Sequence, residues 1–206
     1  VLLMSFSTFG QRFARHTGAR ELMDDLGAAM AGGSGMKMLG GGNPAHIPEV
    51  QALFRERLQQ VSVDDVLFKR MLANYPAPAG EEHFRAALAA LLNREYGWDL
   101  TEKNIALTGG SQSSFFLLFN LFAGPSAGNA PDKKVLLPLT PEYIGYADLG
   151  VAKDMLLSYQ PDIEILDDRL FKYRVDFDSL AADPKPADLG AICVSRPTNP
   201  TGNVLT

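Results

Sequence analysis

The sequence predicts an α/β protein with a mostly parallel sheet covered by helices on both faces. Three observations carry this. From residue 105 onward, short apolar runs of strand length alternate with runs of helical length. The strand-length runs, such as Lys134–Leu137 and Gly190–Ser195, are short and apolar, which suits strands buried in a parallel sheet. At the junction of one such run with a Phe- and Leu-rich helix stand Gly109, Gly110 and Ser111, where a parallel sheet places its ligands.

The bulk numbers agree with a globular chain. Of 206 residues, 46% are hydrophobic and 21% charged, which excludes a disordered or fibrous chain. A net charge of −5 gives no electrostatic case for binding nucleic acid or an anionic membrane. The single cysteine, Cys193, excludes an internal disulfide framework and reads as a small buried residue in an apolar run. No run reaches about 18 apolar residues, so no membrane span is expected and a cytoplasmic location is. No metal site is expected either. The chain stops just after a turn, at Asn203-Val204-Leu205-Thr206, and reads as the amino-terminal part of a larger protein.

In chain order, residues 5–30 carry weak helical periodicity, with Phe6, Phe9 and Phe13 near one face and Leu22, Met23 and Leu26 on another. Residues 31–44 hold six glycines and read as a loop bracketing one short strand. Pro48 opens a helix with Val50, Leu53, Phe54 and Leu58 at helical spacing. Asn74–Gly80 is a Pro-stiffened loop, and the helix after it carries Phe84, Ala87, Leu88, Leu91 and Leu92 to an end near Tyr96-Gly97. The alternating region then reads strand Ile105–Thr108, helix Ser111–Phe122, strand Lys134–Leu137, helix Tyr143–Leu149, and strands Asp154–Tyr159 and Gly190–Ser195. Phe171–Phe177 is ambiguous, and Ala182–Ala187 is a surface loop.

The Gly109-Gly110-Ser111 junction exposes the first N–H groups of a helix, and the helix dipole favours an anion there. Glycine lets the backbone approach closely and the Ser111 hydroxyl adds a hydrogen bond, so a phosphate suits the place. A tight turn with Ser111 merely capping is the plainer alternative. No Gly-x-x-x-x-Gly-Lys-Ser/Thr run is present. The Gly40–Ala45 match to a dinucleotide fingerprint is spoiled by Pro44, which sits where the helix should continue. Three further stretches bear on the ligand. "TPEYIGYAD" sets Tyr143 just after a strand end, where its ring can cover a flat ligand. "SRPTNPTGN" sets Asn199 in a sharp turn after the last strand, and "NYPAPAG" sets Tyr75 beside two prolines. Singly, each is ordinary packing or turn chemistry.

Together and in this order these stretches resemble the fold-type I pyridoxal-phosphate aminotransferases. The resemblance covers essentially the whole chain, with Asn-Pro-Thr-Gly at 199–202 its most specific part. Within that family the wording of "MLGGGNPAHIPE", "NIALTGGSQSSFF", "PEYIGYAD" and "VSRPTNPTGNV" is similar to the valine–pyruvate aminotransferases. The resemblance implies that residues 1–47 form an amino-terminal arm and small-domain segment, and that 48–206 begin the large cofactor-binding domain. It implies pyridoxal 5'-phosphate as cofactor, with Gly109, Gly110, Ser111 and Gln112 around its phosphate. Tyr143 would stack on the ring and Asn199 would donate to the ring's phenolic oxygen. Tyr75 would reach the partner's phosphate across a homodimer interface, and Gly42 would lie on the substrate-carboxylate side. Arg196 is as well suited to a structural role as to a substrate one.

The reaction implied is ping-pong transfer of an amino group from an amino acid, valine, to a 2-oxo acid, pyruvate. The family's Schiff-base lysine, ring-nitrogen aspartate and carboxylate-binding arginine all follow the Asn-Pro-Thr-Gly stretch in relatives. They are therefore expected beyond Thr206, and none of the eight lysines present occupies the family position. The 206-residue chain alone is expected to be inactive. The alternatives are another fold-type I enzyme (a different aminotransferase, a lyase or a synthase) or a non-enzymatic ligand-sensing regulator of the same fold. The regulator is disfavoured because residues 1–30 show no helix-turn-helix pattern.

Overall fold

The structure is a computed structural model that describes residues 5–32, 44–128, 130–183 and 188–205. Its chain divides into two compact units, Asp24–Thr108 and Val1–Met23 with Gly109–Thr206. Among the described residues no helix is long and apolar enough to cross a membrane.

The first unit is helical. Pro48 opens α3 (Pro48–Val63) at its first position, where a fixed φ and a missing N–H cost nothing. The helix predicted from Pro48 carries the expected apolar positions, but Leu53, Phe54 and Leu58 lie exposed along it. Asp64 interrupts the helical run. Its carboxylate accepts from the amides of Val66 and Leu67 at 2.9 and 3.0 Å and so starts α4 (Asp65–Ala73) as a separate helix. Glu81 caps α5 (Glu82–Tyr96) through the Phe84 amide at 2.8 Å, and Gly97, at φ 67°, ends it. The Arg85 side chain is buried beneath α5. It donates to the carbonyls of Gly80 (3.3 Å) and Glu102 (2.7 Å), tying the Asn74–Gly80 loop to the 3-10 turn Glu102–Asn104.

Ile105–Thr108, expected as a strand, pairs with no strand of either sheet. It is an extended segment whose Leu107 amide donates to the Ala79 carbonyl at 2.9 Å. The residues beside it belong to the Asn74–Gly80 loop, so no ladder forms and the expected strand is absent from the described residues.

The second unit holds α1 (Thr8–Phe13), the α/β layers and the core. The amino-terminal residues of α2 (Gly18–Ala31) also fall in it. Three parallel strands lie in the order β2 (Leu156–Ser158), β1 (Lys134–Leu137) and β5 (Leu189–Ile192). β1 is central and its last three residues are buried, as a strand covered on both faces requires. The core gathers Phe119, Val135, Leu137, Tyr146, Met155 and Cys193. α6 occupies Ser111–Phe122, the predicted span. Its far end is pinned to the sheet: a Cβ at Gly190 would collide with the Phe122 carbonyl, so only glycine permits that approach.

Tyr143–Leu149 was expected as a helix and is only a 3-10 turn, Ile144–Tyr146. Gly145 in its middle and Gly150 just after it deprive the segment of helix propensity. Two strands of the parallel sheet are shorter than expected, Leu156–Ser158 and Leu189–Ile192, although the Cys193 amide just past β5 still donates to the Leu136 carbonyl at 2.9 Å. An antiparallel hairpin, β3 (Asp162–Ile165) with β4 (Phe171–Arg174), resolves the ambiguous 171–177 region, and α7 (Phe177–Ala182) follows it.

Candidate functional site

In the second unit, two loops leave the carboxyl ends of neighbouring parallel strands. One follows β1 and carries Glu142 and Tyr143, and the other follows β5 and carries Ser195, Arg196 and Asn199. α6 runs so that Phe122 meets Gly190 near the amino end of β5, while Gln112, near its start, meets Gly145 beyond the carboxyl end of β1. The amino end of α6 therefore faces the same edge as both loops.

Gly110 is the N-cap of α6, at φ 95° and ψ 164°, a conformation that L side chains rarely adopt, and no side chain caps the helix. A Cβ at Gly110 would meet nothing within 4 Å, so space is open before the first turn. Gly109, Ser111 and Gln112 are exposed there. Ser113 turns back to donate to the Gly109 carbonyl at 3.2 Å, which fixes the glycine pair.

Tyr143 is half-buried. Its ring meets that of Tyr146 edge-on at 5.5 Å, and Tyr146 in turn packs on Phe115 at 4.7 Å and Phe119 at 5.6 Å. Gly145 separates the Tyr143 ring from the Gln112 amide, and any side chain there would strike both. Burial raises the Tyr146 phenol pKa above its ordinary value, so the group stays neutral while its hydroxyl shares a 2.5 Å hydrogen bond with Ser195 Oγ. Burial likewise raises the Cys193 thiol. Cys193 is thus the small buried residue its apolar run suggested, not an activated nucleophile.

Asn199 is exposed on a loop built by its neighbours. Thr198 is buried; its hydroxyl donates to the Ser195 carbonyl at 2.8 Å and its amide to the Asn203 carbonyl at 3.1 Å. Gly202 closes the turn at φ 68°. Arg196 settles as a structural residue. Its Nη1 donates to Glu142 Oε1 at 2.8 Å and also bonds the Ser195 carbonyl and the Thr198 hydroxyl, while Nη2 reaches the Leu139 carbonyl at 3.1 Å. Both side chains of this ion pair are more than nine-tenths buried.

The structure thus gathers Gly109, Gly110, Ser111, Gln112 and Tyr143 at one edge and ties the Asn199 loop to the Tyr143 loop. Tyr75 belongs to the other unit, fully exposed in its Pro-rich loop. Gly42 lies outside the described residues. Glu142, Gly145, Tyr146 and Ser195 were not singled out in the sequence. Only Gly145, a glycine inside an apparent helix, offered a signal.

A helix start with a glycine N-cap, an aromatic shelf and an Asn-Pro-Thr-Gly turn at one sheet edge narrow the field, and the aminotransferase class I and II family model matches residues 49–206. The chain belongs to the class I and II aminotransferases. It is 50% identical over 203 residues to the valine–pyruvate aminotransferase of Escherichia coli (strain K12), a match covering 98% of this chain and 47% of that protein. A Psychrobacter arcticum crystal structure, provisionally named an amino-acid aminotransferase, superimposes with a TM-score of 0.87 at 48% identity, over 98% of this chain and 49% of that one. The valine–pyruvate aminotransferase of Salmonella typhimurium LT2 gives a TM-score of 0.70 at 49% identity, over 92% and 44%. The chain therefore spans about half the length of the relatives it matches. The fold is the fold-type I aminotransferase fold, and the enzymes of this family depend on pyridoxal 5'-phosphate.

Proposed function

We propose that this chain contributes the phosphate and ring subsites of a pyridoxal-phosphate-dependent aminotransferase that moves the amino group of valine to pyruvate, giving 3-methyl-2-oxobutanoate and alanine. The observation that carries the reading is the α6 start. A left-handed glycine N-cap, open space before the first turn and the absence of a capping side chain suit an anion held by backbone N–H groups. Beside it, the half-buried Tyr143 ring offers a rigid face to a flat heterocycle, and Gln112 offers its amide across Gly145. Asn199 would hold the phenolic oxygen of the ring through its side-chain N–H. The choice of valine and pyruvate rests on the half-length identity to the valine–pyruvate aminotransferases. When bound, the cofactor supplies the electron sink that lets an amino group pass between an amino acid and a 2-oxo acid. The residues here bind and orient it. Tyr75 would serve the partner's site in a homodimer, and the 206-residue chain by itself would be inactive.

The full-length protein, incubated with valine, pyruvate and cofactor, should form alanine. Loss of alanine formation when valine is replaced by aspartate would sharpen the substrate, whereas equal rates with both would overturn the valine assignment. An amide-resolved phosphate titration that leaves Gly110, Ser111 and Gln112 unmoved would overturn the phosphate subsite.

A further inference from the structure

We propose that Glu142 and Arg196 form a positioning pair that sets Tyr143 and Asn199 relative to each other, so that the two loops of the site move as one piece. The inference rests on the reading of those two residues as ring-facing. Glu142 immediately precedes Tyr143, and Arg196 stands three residues before Asn199. The residues of the pair are 54 apart in the chain and meet only because β1 and β5 are neighbours.

The hydrogen-bond pattern is that of a clip. Glu142 Oε1 accepts from Arg196 Nη1 at 2.8 Å and from the Ser195 amide at 3.3 Å, so one carboxylate oxygen grips the β5 loop twice. Arg196 Nη2 reaches back to the Leu139 carbonyl at 3.1 Å, gripping the β1 loop in return. Nη1 also holds the Thr198 hydroxyl, next to Asn199. A second tie, Tyr146 to Ser195, joins the same two loops.

Stability is a poor explanation for this arrangement. Glu142 Oε2 and Arg196 Nε are buried and have no hydrogen-bond partner among the described residues, so the pair is desolvated more fully than it is satisfied. A buried ion pair of that kind is commonly no better for stability than apolar residues of similar volume. What it provides, and apolar packing does not, is direction. The guanidinium plane has few orientations that meet a carboxylate, two carbonyls and a hydroxyl together.

Hydrogen exchange on the full-length protein without cofactor tests the coupling independently of the cofactor reading. Glu142→Gln keeps the shape and removes the charge. Amides within 195–203 should exchange about tenfold faster, together with those within 140–146, while those of α5 stay at the wild-type rate. Acceleration confined to 140–146, or none, overturns the proposal. If that variant does not fold, Arg196→Lys carries the same test in the opposite direction, with acceleration expected within 140–146. In protein loaded with pyridoxal 5'-phosphate, Glu142→Gln should shift the pH at which the cofactor absorbance titrates, in the same direction as Asn199→Ala. Asn93→Ala, which loses two bonds to Leu100 in the other unit, controls for lost stability and should leave that titration in place. An unmoved titration in Glu142→Gln overturns the positioning role. A wild-type protein that takes up no cofactor defeats the functional reading instead, and the exchange result still decides the coupling.

Discussion

Two arginine–glutamate pairs anchor the loops that carry the candidate ring-facing and phosphate-facing side chains, and they differ in kind. Arg196–Glu142 is sealed, with side-chain exposures of 9% and 3%. Arg70–Glu81, at the end of the Tyr75 loop, is open to solvent at 46% and 40%, with His83 on the same carboxylate oxygen. Water and salt screen the open pair, so it adds little to the hold that the prolines and buried Arg85 already have on the Tyr75 loop. The sealed pair is screened by neither, so its loops are held in one geometry before any ligand arrives. A residue that acts within its own unit can be pre-set in this way. Tyr75, proposed to serve a partner's site, stands beside the open pair.

The largest effect that would break this contrast is removal of one member of the sealed pair. Arg196→Met strands a buried carboxylate and should cost about 3–5 kcal/mol of unfolding free energy, read from urea denaturation. A loss no larger than that of an exposed substitution would mean that water reaches Glu142 freely. Next is Asn199→Ala in the loaded full-length protein. Without a donor at the phenolic oxygen, the deprotonated cofactor is less favoured, and its absorbance should titrate roughly 1–2 pH units higher. An unchanged titration would reduce Asn199 to a turn former.

Tyr75→Phe removes a hydroxyl that makes no contact within its own unit's core. It should weaken cofactor retention by roughly ten- to a hundredfold with an unmoved melting temperature. A heterodimer that pairs this chain with one lacking the catalytic lysine sharpens the test. With the two defects on different chains, the site that keeps its lysine draws an intact Tyr75 from its partner if the residue acts across the interface, so activity reduced to that of the Tyr75→Phe homodimer rules out the cross-subunit role.

Smallest is Glu81→Gln. The Phe84 amide and then His83 hold the Glu81 carboxyl below its usual range. Its folded pKa is lower than its unfolded one, so its contribution is present above the unfolded value and is lost as pH falls through the folded one. The variant should flatten the acid side of the melting profile slightly, and high salt should do so less, because hydrogen bonds lead the effect and salt screens only the charges. The Arg196–Glu142 loops should ignore both changes.

The sequence made local features legible and left distant ones hidden. α6 was readable to the residue because Gly109-Gly110 stops one element and a Phe- and Leu-rich run begins the next. The Asn-Pro-Thr-Gly turn was readable from its own residues. The Glu142–Arg196 pair was not, since it depends on the order β2-β1-β5 and no local pattern marks a glutamate beside a tyrosine as buried. The helix expected over Tyr143–Leu149 failed for a reason present in the sequence, Gly145, whose packing role between Gln112 and Tyr143 only the fold reveals. The β3 strand was missed although Asp162-Ile163-Glu164-Ile165 alternates, because it is short and exposed on every residue.

The contact of Gly190 with the Phe122 carbonyl turns α6 into a gauge of fixed length. With one end fastened backbone to backbone, the twelve residues from Ser111 to Phe122 span about 18 Å and deliver Gly110 to one height above the sheet. Adding or deleting a single residue would shift the near end by about 1.5 Å and swing it by about 100°, carrying the first-turn N–H groups out of line with Tyr143. Length variation among natural homologues should therefore collect in the connection between Gly124 and Lys133, which pair backbone to backbone at its base, and leave the helix itself untouched.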